Sequence, residues 1–362
     1  MPTTLSLYIA RQFIIWFAAL VGVAAVLVLL LDSLELVRRA ASKPEVGVIT
    51  VLQMALLHLP YIIDIVLPFA MLFAAMAALW QLSRHQELAV ARAAGLSIWQ
   101  LLLPGLVVAV LLGGLKIVAF NPLAAASLAM FEDFEVQYFN RRPNNPVLSS
   151  SGLWLKDYSG VFDLVIRAES LRPREQVLED VTVFQFVEQD QFSSRIDAAT
   201  AVLQDGAWRF ETVRVVGPNR PAVELESLAL STRLDWNRLE ESFASPASMP
   251  IWRLPAFIRM LEDAGFSAAP HRVYFHVTLA APLTMAAMVL IAAGFAIRPP
   301  RRGGILALMT MAAIAGLGVH LLTQVFLRLG LAGQLPAVLA AWAPIGGITM
   351  LSAAWLLYTE DG

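Results

Sequence analysis

Cysteine is absent from the 362 residues, which excludes disulfide stapling and thiolate metal ligation and leaves the redox compartment unread. Charge is scarce: 15% of residues are Asp, Glu, Lys or Arg, and the net charge of -2 carries no information about partners. The chain contains no Gly-Lys pair, so the GxxxxGK[ST] phosphate loop is missing and ATP is not hydrolysed here by that route. Five histidines (His58, His85, His271, His276, His320) are scattered, and the five-residue spacing of His271 and His276 does not match a zinc-binding helical pair. No metal, cofactor or nucleic-acid partner is therefore expected. Gly95-Leu96-Ser97 with His320 offers a thin case for an intramembrane serine protease; the simpler reading has Gly95 ending one helix in the left-handed conformation and Ser97 capping the next.

What is abundant is apolar sequence. A hydrophobic fraction of 58% and a mean hydropathy of +0.66 are too apolar for a chain surrounded by water. A spanning helix needs about 20 mainly apolar residues. Phe13 to Leu31 meets that requirement without a charge, and further spans read as Tyr61 to Leu82, Ile98 to Phe120, Val273 to Ile297, Gly304 to Leu327 and Pro336 to Tyr358. The first lacks a convincing cleavage site and is read as retained. Six spans put both termini on one side. The short segments on the terminal side hold Arg11, Arg84, Arg92, Arg298, Arg301 and Arg302, against Arg38, Arg39, Lys43 and Arg328 opposite. The excess of cations favours cytoplasmic termini and a middle block outside the cytoplasm.

The expected organisation is residues 1–130 with three spans, 131–270 as an all-β domain, and 271–362 with three more spans. In the middle block the apolar period shortens to two. Along Val181 to Glu188, Thr182, Phe184 and Phe186 share one face and Val183, Gln185 and Val187 the other. Asp205-Gly206 marks a tight hairpin, and the apolar face switches near Ser227, as at a bulge. A sandwich, jelly roll or open barrel fits such strands.

Three features carry candidate chemistry. Residues 81–95 predict a slim polar helix between the second and third spans: Arg84 and Glu87 are spaced to pair, and Ala89, Ala91, Ala93 and Ala94 leave it narrow enough for a partner's groove. Arg38, Arg39 and Lys43 cluster beyond the first span, where phosphate or ordinary lipid headgroups are both suitable ligands, with Asp32 and Glu35 partly neutralising them. Small and proline residues (Pro60, Pro68, Pro104, Gly113-Gly114, Pro282, Gly316 and Gly318) permit close approach and kinks. Lys116 reads as snorkelling from the third span, and Asp64 has no evident partner.

Several segments taken in order resemble the lipopolysaccharide export permeases of the LptF/LptG family. They are Leu7-Tyr8-Ile9-Ala10-Arg11, Pro60 with Pro68, the run Glu87 to Gly95, Gly152-Leu153-Trp154-Leu155-Lys156-Asp157, Pro282-Leu283, Gln334-Leu335-Pro336 and Trp342-Ala343-Pro344. The Gly152 to Asp157 segment is closer to the LptG branch. The resemblance implies a six-helix permease of the bacterial inner membrane with an inserted periplasmic β-jelly roll. It implies a heterodimer with LptF, an LptB ATPase dimer, LptC, a periplasmic LptA bridge and lipopolysaccharide as cargo. It makes 81–95 the coupling helix, with Arg84, Glu87 and Arg92 serving the ATPase. It also implies a cation within the first span; Phe13 to Leu31 holds none, so Arg38, Arg39 and Lys43 are the substrate-phosphate candidates. The first and fifth spans would face LptF across a lipid cavity continued by the interior of the sheet, with faces such as Phe184 and Phe186. A membrane-anchored assembly scaffold, or a permease for another lipid or lipoprotein, uses the same layout.

Overall fold

The computed structural model describes residues 3–41, 46–139, 147–149, 152–159, 162–172, 177–187, 191–204, 206–218, 221–232, 245–263, 267–296 and 304–361. The chain forms two compact units. One comprises Met1–Phe139, Pro246–Leu254 and Ala269–Gly362 and is helical; the other comprises Asn140–Ser245 and Pro255–Ala268 and is built on a sheet.

The helical unit opens with α1 (Thr3–Ala40) and α2 (Val48–Arg84), followed by the short α3 (Glu87–Ala93). The third span is one continuous rod: α4 (Ile98–Leu115), a π-helical turn (Lys116–Phe120) and α5 (Asn121–Phe139). Helix thus continues past Phe131, where alternating strands were expected to begin. Pro122 has no N–H to give the carbonyl four residues back, and the Asn121 N–H reaches instead to Lys116 O, widening the turn. After the sheet come α7 (Ala269–Leu279) and α8 (Ala281–Ala296), two halves of one span bent by 53° beside Pro282, then α9 (Gly304–Leu331) and α10 (Ala337–Asp361). Among the described residues, five helices are long and apolar enough to cross a membrane, and the bent pair makes a sixth.

The core of this unit is the packing of α2 against α4 and α8, with Met71, Leu72, Met76, Leu102, Ala109, Val289 and Ala293 buried together. Small residues permit it. A Cβ on Gly113 would stand 2.8 Å from the backbone nitrogen of Pro282 and closer still to its Cα, so the third and fourth spans touch backbone to backbone. The Phe13 ring of α1 packs directly on Gly105 of α4, where a Cβ would stand 2.6 Å from it. Asn121, fully buried, joins three segments: its Oδ1 accepts from the Ile251 N–H at 2.9 Å and its Nδ2 donates to the Tyr274 hydroxyl at 3.1 Å.

The second unit is a seven-stranded antiparallel sheet in sequential order: β1 (Val147–Ser149), β2 (Gly152–Ser159), β3 (Phe162–Arg172), β4 (Val177–Val187), β5 (Gln191–Gln204), β6 (Ala207–Val216) and β7 (Val223–Ser231). The all-β expectation holds, and its strands pair as a meander without the crossovers of a Greek key. Gln204 pairs with Ala207 around the expected hairpin, where Gly206 has φ +71°.

A crease crosses the sheet. The registers of four successive ladders each skip one pair, and the skipped residues form a line: Glu169, Asp180, Ala199, Thr212 and Glu226, all exposed. On β6, Trp208 and Phe210 are buried before it and Val213 after it; on β5, Ile196 and Ala198 before it and Ala201 and Leu203 after. Asp180 and Thr212 take positive φ (49° and 54°) to make the switch. The switch anticipated near Ser227 lies one residue away, at Glu226.

The creased sheet curls over itself. Asp157 on β2, buried, accepts from Trp208 Nε1 on β6 at 2.8 Å and from Thr232 Oγ1 just beyond β7 at 2.5 Å, although β3, β4 and β5 lie between these strands in the sheet. The amphipathic helix α6 (Leu254–Asp263) adds Phe257, Ile258 and Leu261 to the same core. This interior is packed with Leu155, Leu164, Trp208 and Phe210. Phe184 and Phe186, expected to line it, lie on the other face of β4: Val181, Val183 and Gln185 point inward, while Phe184 meets the Arg195 guanidinium at 6.0 Å and Phe186 meets Phe192 edge-on at 6.1 Å.

Because Gly113 meets backbone and Gly114 meets nothing within 4 Å, the two glycines separate packing from helix propensity. Gly113→Val destabilises the purified protein by about 1–3 kcal/mol, whereas Gly114→Ala leaves the thermal unfolding midpoint in detergent unchanged or raised.

Candidate functional site

The segment 81–95 is two helices, not one. α2 runs to Arg84, His85 closes it, and Gln86 adopts φ 60°, so α3 starts afresh at Glu87. The expected Arg84–Glu87 pair does not form, because the left-handed residue between them destroys the helical i,i+3 relation. Arg84 lies over the Trp80 ring at 5.2 Å instead. Glu87 accepts from the Tyr8 hydroxyl of α1 at 3.2 Å, with His85 Nδ1 3.9 Å from the same oxygen. A second contact ties α1 to this end of α2: Trp16 Nε1 donates to Gln81 Oε1 at 2.8 Å.

α3 seats Leu88 and Ala91 on the helical core and exposes Ala89, Val90, Arg92, Ala93 and Ala94. Its outward surface is therefore narrow and apolar with one cation, a shape suited to a groove. Gly95 has φ +84° and ends the helix, as expected. Ser97 caps α4 through a reciprocal box in which its Oγ accepts from Gln100 N at 3.2 Å and its N–H donates to Gln100 Oε1 at 3.1 Å. That role leaves no protease nucleophile to explain.

At the far end of α1 the cationic cluster divides. Arg38 is exposed and pairs along the helix with Glu35 at 2.9 Å. Arg39 turns the other way, forming an ion pair with Glu135 of α5 and standing 4.9 Å over the Phe139 ring. Lys43 lies outside the described residues. Asp32 does not neutralise the cluster: His58 Nδ1 is 3.1 Å from both of its oxygens, and His58 in turn stacks on Phe131 with ring centroids 4.3 Å apart. Arg38 is thus the cation presented outward, and Arg39 holds α1 to the third span.

Lys116 does not snorkel. Its Nζ donates to the backbone oxygen of Asp64 at 2.9 Å and lies 3.1 Å from Asp64 Oδ2, so the two charges that looked unrelated in the sequence form one pair between α2 and the π-helical turn.

Lipid-facing surface is unevenly distributed. In α1 none of the most apolar stretch is buried: Val21, Ala24, Ala25 and Val28 rest on the core, while Val23, Val26, Leu27, Leu30 and Leu31 are open. α9 is the next barest, whereas most of α2 is enclosed.

Residues 7–359 match the family described as lipopolysaccharide export system permease LptF/LptG. The chain belongs to the LptF/LptG family. Two curated relatives, both lipopolysaccharide export system permease protein LptG, come from Escherichia coli strain K12 and from Escherichia coli O6:H1. Each is 25% identical to this chain over 313 residues, covering 84% of the chain and 84% of the relative. This LptF/LptG protein is therefore a permease subunit of a lipopolysaccharide export system, with six candidate spans and a sheet unit.

The two arginines differ in what their removal does. Arg39→Ala removes the Arg39–Glu135 ion pair and the contact with Phe139 and lowers the thermal stability of the purified protein measurably, while Arg38→Ala, on an exposed pair, changes it by less than about 0.5 kcal/mol. Equal losses for the two variants would show that the division of the cluster is wrong.

Proposed function

We propose that this protein is the LptG-like half of an ABC-type exporter that takes lipopolysaccharide from the outer leaflet of the bacterial inner membrane. In this reading its companion is LptF, an LptB dimer supplies ATP hydrolysis, and LptC and an LptA bridge receive the lipid on the periplasmic side. The termini and α3 are cytoplasmic and the sheet unit is periplasmic.

One observation carries the reading: α1 is a long apolar helix whose outward face none of the described residues covers, and it ends in the exposed Arg38. A companion permease and acyl chains both suit such a face, and the arginine suits a lipid phosphate, which guanidinium binds bidentately. Lys43, five residues beyond Arg38 in the same cationic run, serves the same ligand; Arg39 acts by fixing the helix that presents Arg38. Leaving the bilayer for water costs the lipid about 0.8 kcal/mol per CH₂, so protein has to replace hydrocarbon along the whole route. The packed sheet interior takes part only after the Asp157 contacts between β2 and β6 part.

α3 is the coupling element. Its narrow outward face enters a groove on the ATPase, with Arg92 exposed on that face and Arg84 at its entrance. Glu87 links the docked helix to α1 through Tyr8. Closure driven by ATP is thereby delivered to the helix that holds the lipid.

Glu87→Ala separates this reading from an assembly scaffold. Transport coupling fails in the variant, seen as at least a tenfold loss of lipopolysaccharide release driven by ATP in reconstituted vesicles, or the ATPase no longer co-purifies. Undiminished release and association would favour the scaffold. Charge reversal, Arg38→Glu, weakens lipopolysaccharide retention by the purified complex while leaving its ATPase association intact.

A further inference from the structure

Inside the helical unit, apart from the open face of α1, a cavity of about 220 Å³ is bounded by α2, the π-helical turn, α7, α8, α9 and α10. Its lining mixes the apolar Pro68, Val277 and Ile345 with Asp64, Lys116, Tyr274, His320, Thr323 and Gln324. The Lys116–Asp64 pair is 11% and 15% exposed, respectively. Lys116 engages only one carboxylate oxygen, Oδ2; the other, Oδ1, is buried and meets no donor among the described residues. A carboxylate held by one cation at one oxygen calls for a further donor, and a polar cavity of this size has room for several waters at about 30 Å³ each. The hydroxyls of Thr284 and Thr323 are turned to their own helices, donating to Ala280 O at 3.0 Å and Val319 O at 2.8 Å, so they do not supply it.

We infer that this cavity is a hydrated site, reached by water from outside the membrane, in which a small cluster of waters meets the Lys116–Asp64 pair and joins it to Gln324 and His320 on α9. Its depth fits. Lys116 is roughly 27 Å along the third span from Ile98, which brings it near the far boundary of a hydrocarbon core about 30 Å thick. Water at this point keeps the Lys116–Asp64 pair, Gln324 and His320 solvated whenever α9 shifts, so the fifth span can move without stranding a polar group in lipid. This site is separate from the lipid and ATPase surfaces and stands whether or not those assignments do.

The natural absence of cysteine makes the test direct. Thr323→Cys and Thr284→Cys place thiols in the cavity, and Leu322→Cys places one on the neighbouring exposed face of α9. Methanethiosulfonate ethyltrimethylammonium reacts with thiolate, which forms in water and not in hydrocarbon. In membrane vesicles carrying the full complex, with modification read as protection of this chain from a later maleimide mass tag, the two cavity variants react at least tenfold faster than Leu322→Cys. If Thr323→Cys does not accumulate, Thr284→Cys alone decides. Reaction of the cavity thiols at the Leu322→Cys rate overturns the inference.

Discussion

A bilayer forgives exposed hydrocarbon and punishes an unpaired charge, and that asymmetry organises the helical unit. Among the described residues, its interior polar contacts join segments far apart in the chain: Lys116 to Asp64 across 52 residues, His58 to Asp32 across 26, Arg39 to Glu135 across 96. They fall where helices need to be held in register. α1 shows the result most clearly. Tyr8 and Trp16 fasten one end to α2 and Glu87, Asp32 and Arg39 fasten the other to His58 and Glu135, and between them its outward stripe is bare. A helix pinned at both ends and open in the middle can offer apolar surface to lipid without losing its place.

The sheet unit obeys the opposite solvent. Its apolar face has to be hidden, and a flat seven-stranded meander has nothing large enough to hide it against. The crease through Glu169, Asp180, Ala199, Thr212 and Glu226 turns each strand's inward face at the same level, letting one sheet serve as both walls of a core. Asp157 then fastens wall to wall through Trp208 and Thr232. Burying a carboxylate in an apolar core is costly unless it is hydrogen-bonded, so these donors are a condition of the fold rather than an ornament on it.

Much of this was legible in the residues, and the failures have physical causes. Long apolar runs reported the spans because their length is set by the membrane, and alternation reported strands because the pleat has period two. Period alone cannot say which face of a strand points inward when both are apolar, which is why Phe184 and Phe186 were assigned to the interior that Val181 and Val183 occupy. The pairing of Arg84 with Glu87 failed on a single backbone angle, at Gln86, that no local rule announces. Arg39 reads as a phosphate or headgroup ligand and Lys116 as a snorkelling cation because their carboxylates are too distant in sequence to be suspected. Gly95, Ser97 and the hairpin glycine Gly206 were read correctly because their roles are local.

The central claim is that the bare stripe of α1 meets the transported lipid. A photoreactive residue at Val26 or Leu30 tests it most directly, with Met350 on α10, more open to its surroundings than either, as the comparison. In membranes carrying the complete exporter, crosslinks to lipopolysaccharide form from Val26 or Leu30, respond to ATP, and are absent from Met350. Equal crosslinking from all three positions, or crosslinks from α1 to phospholipid alone, would contradict the account.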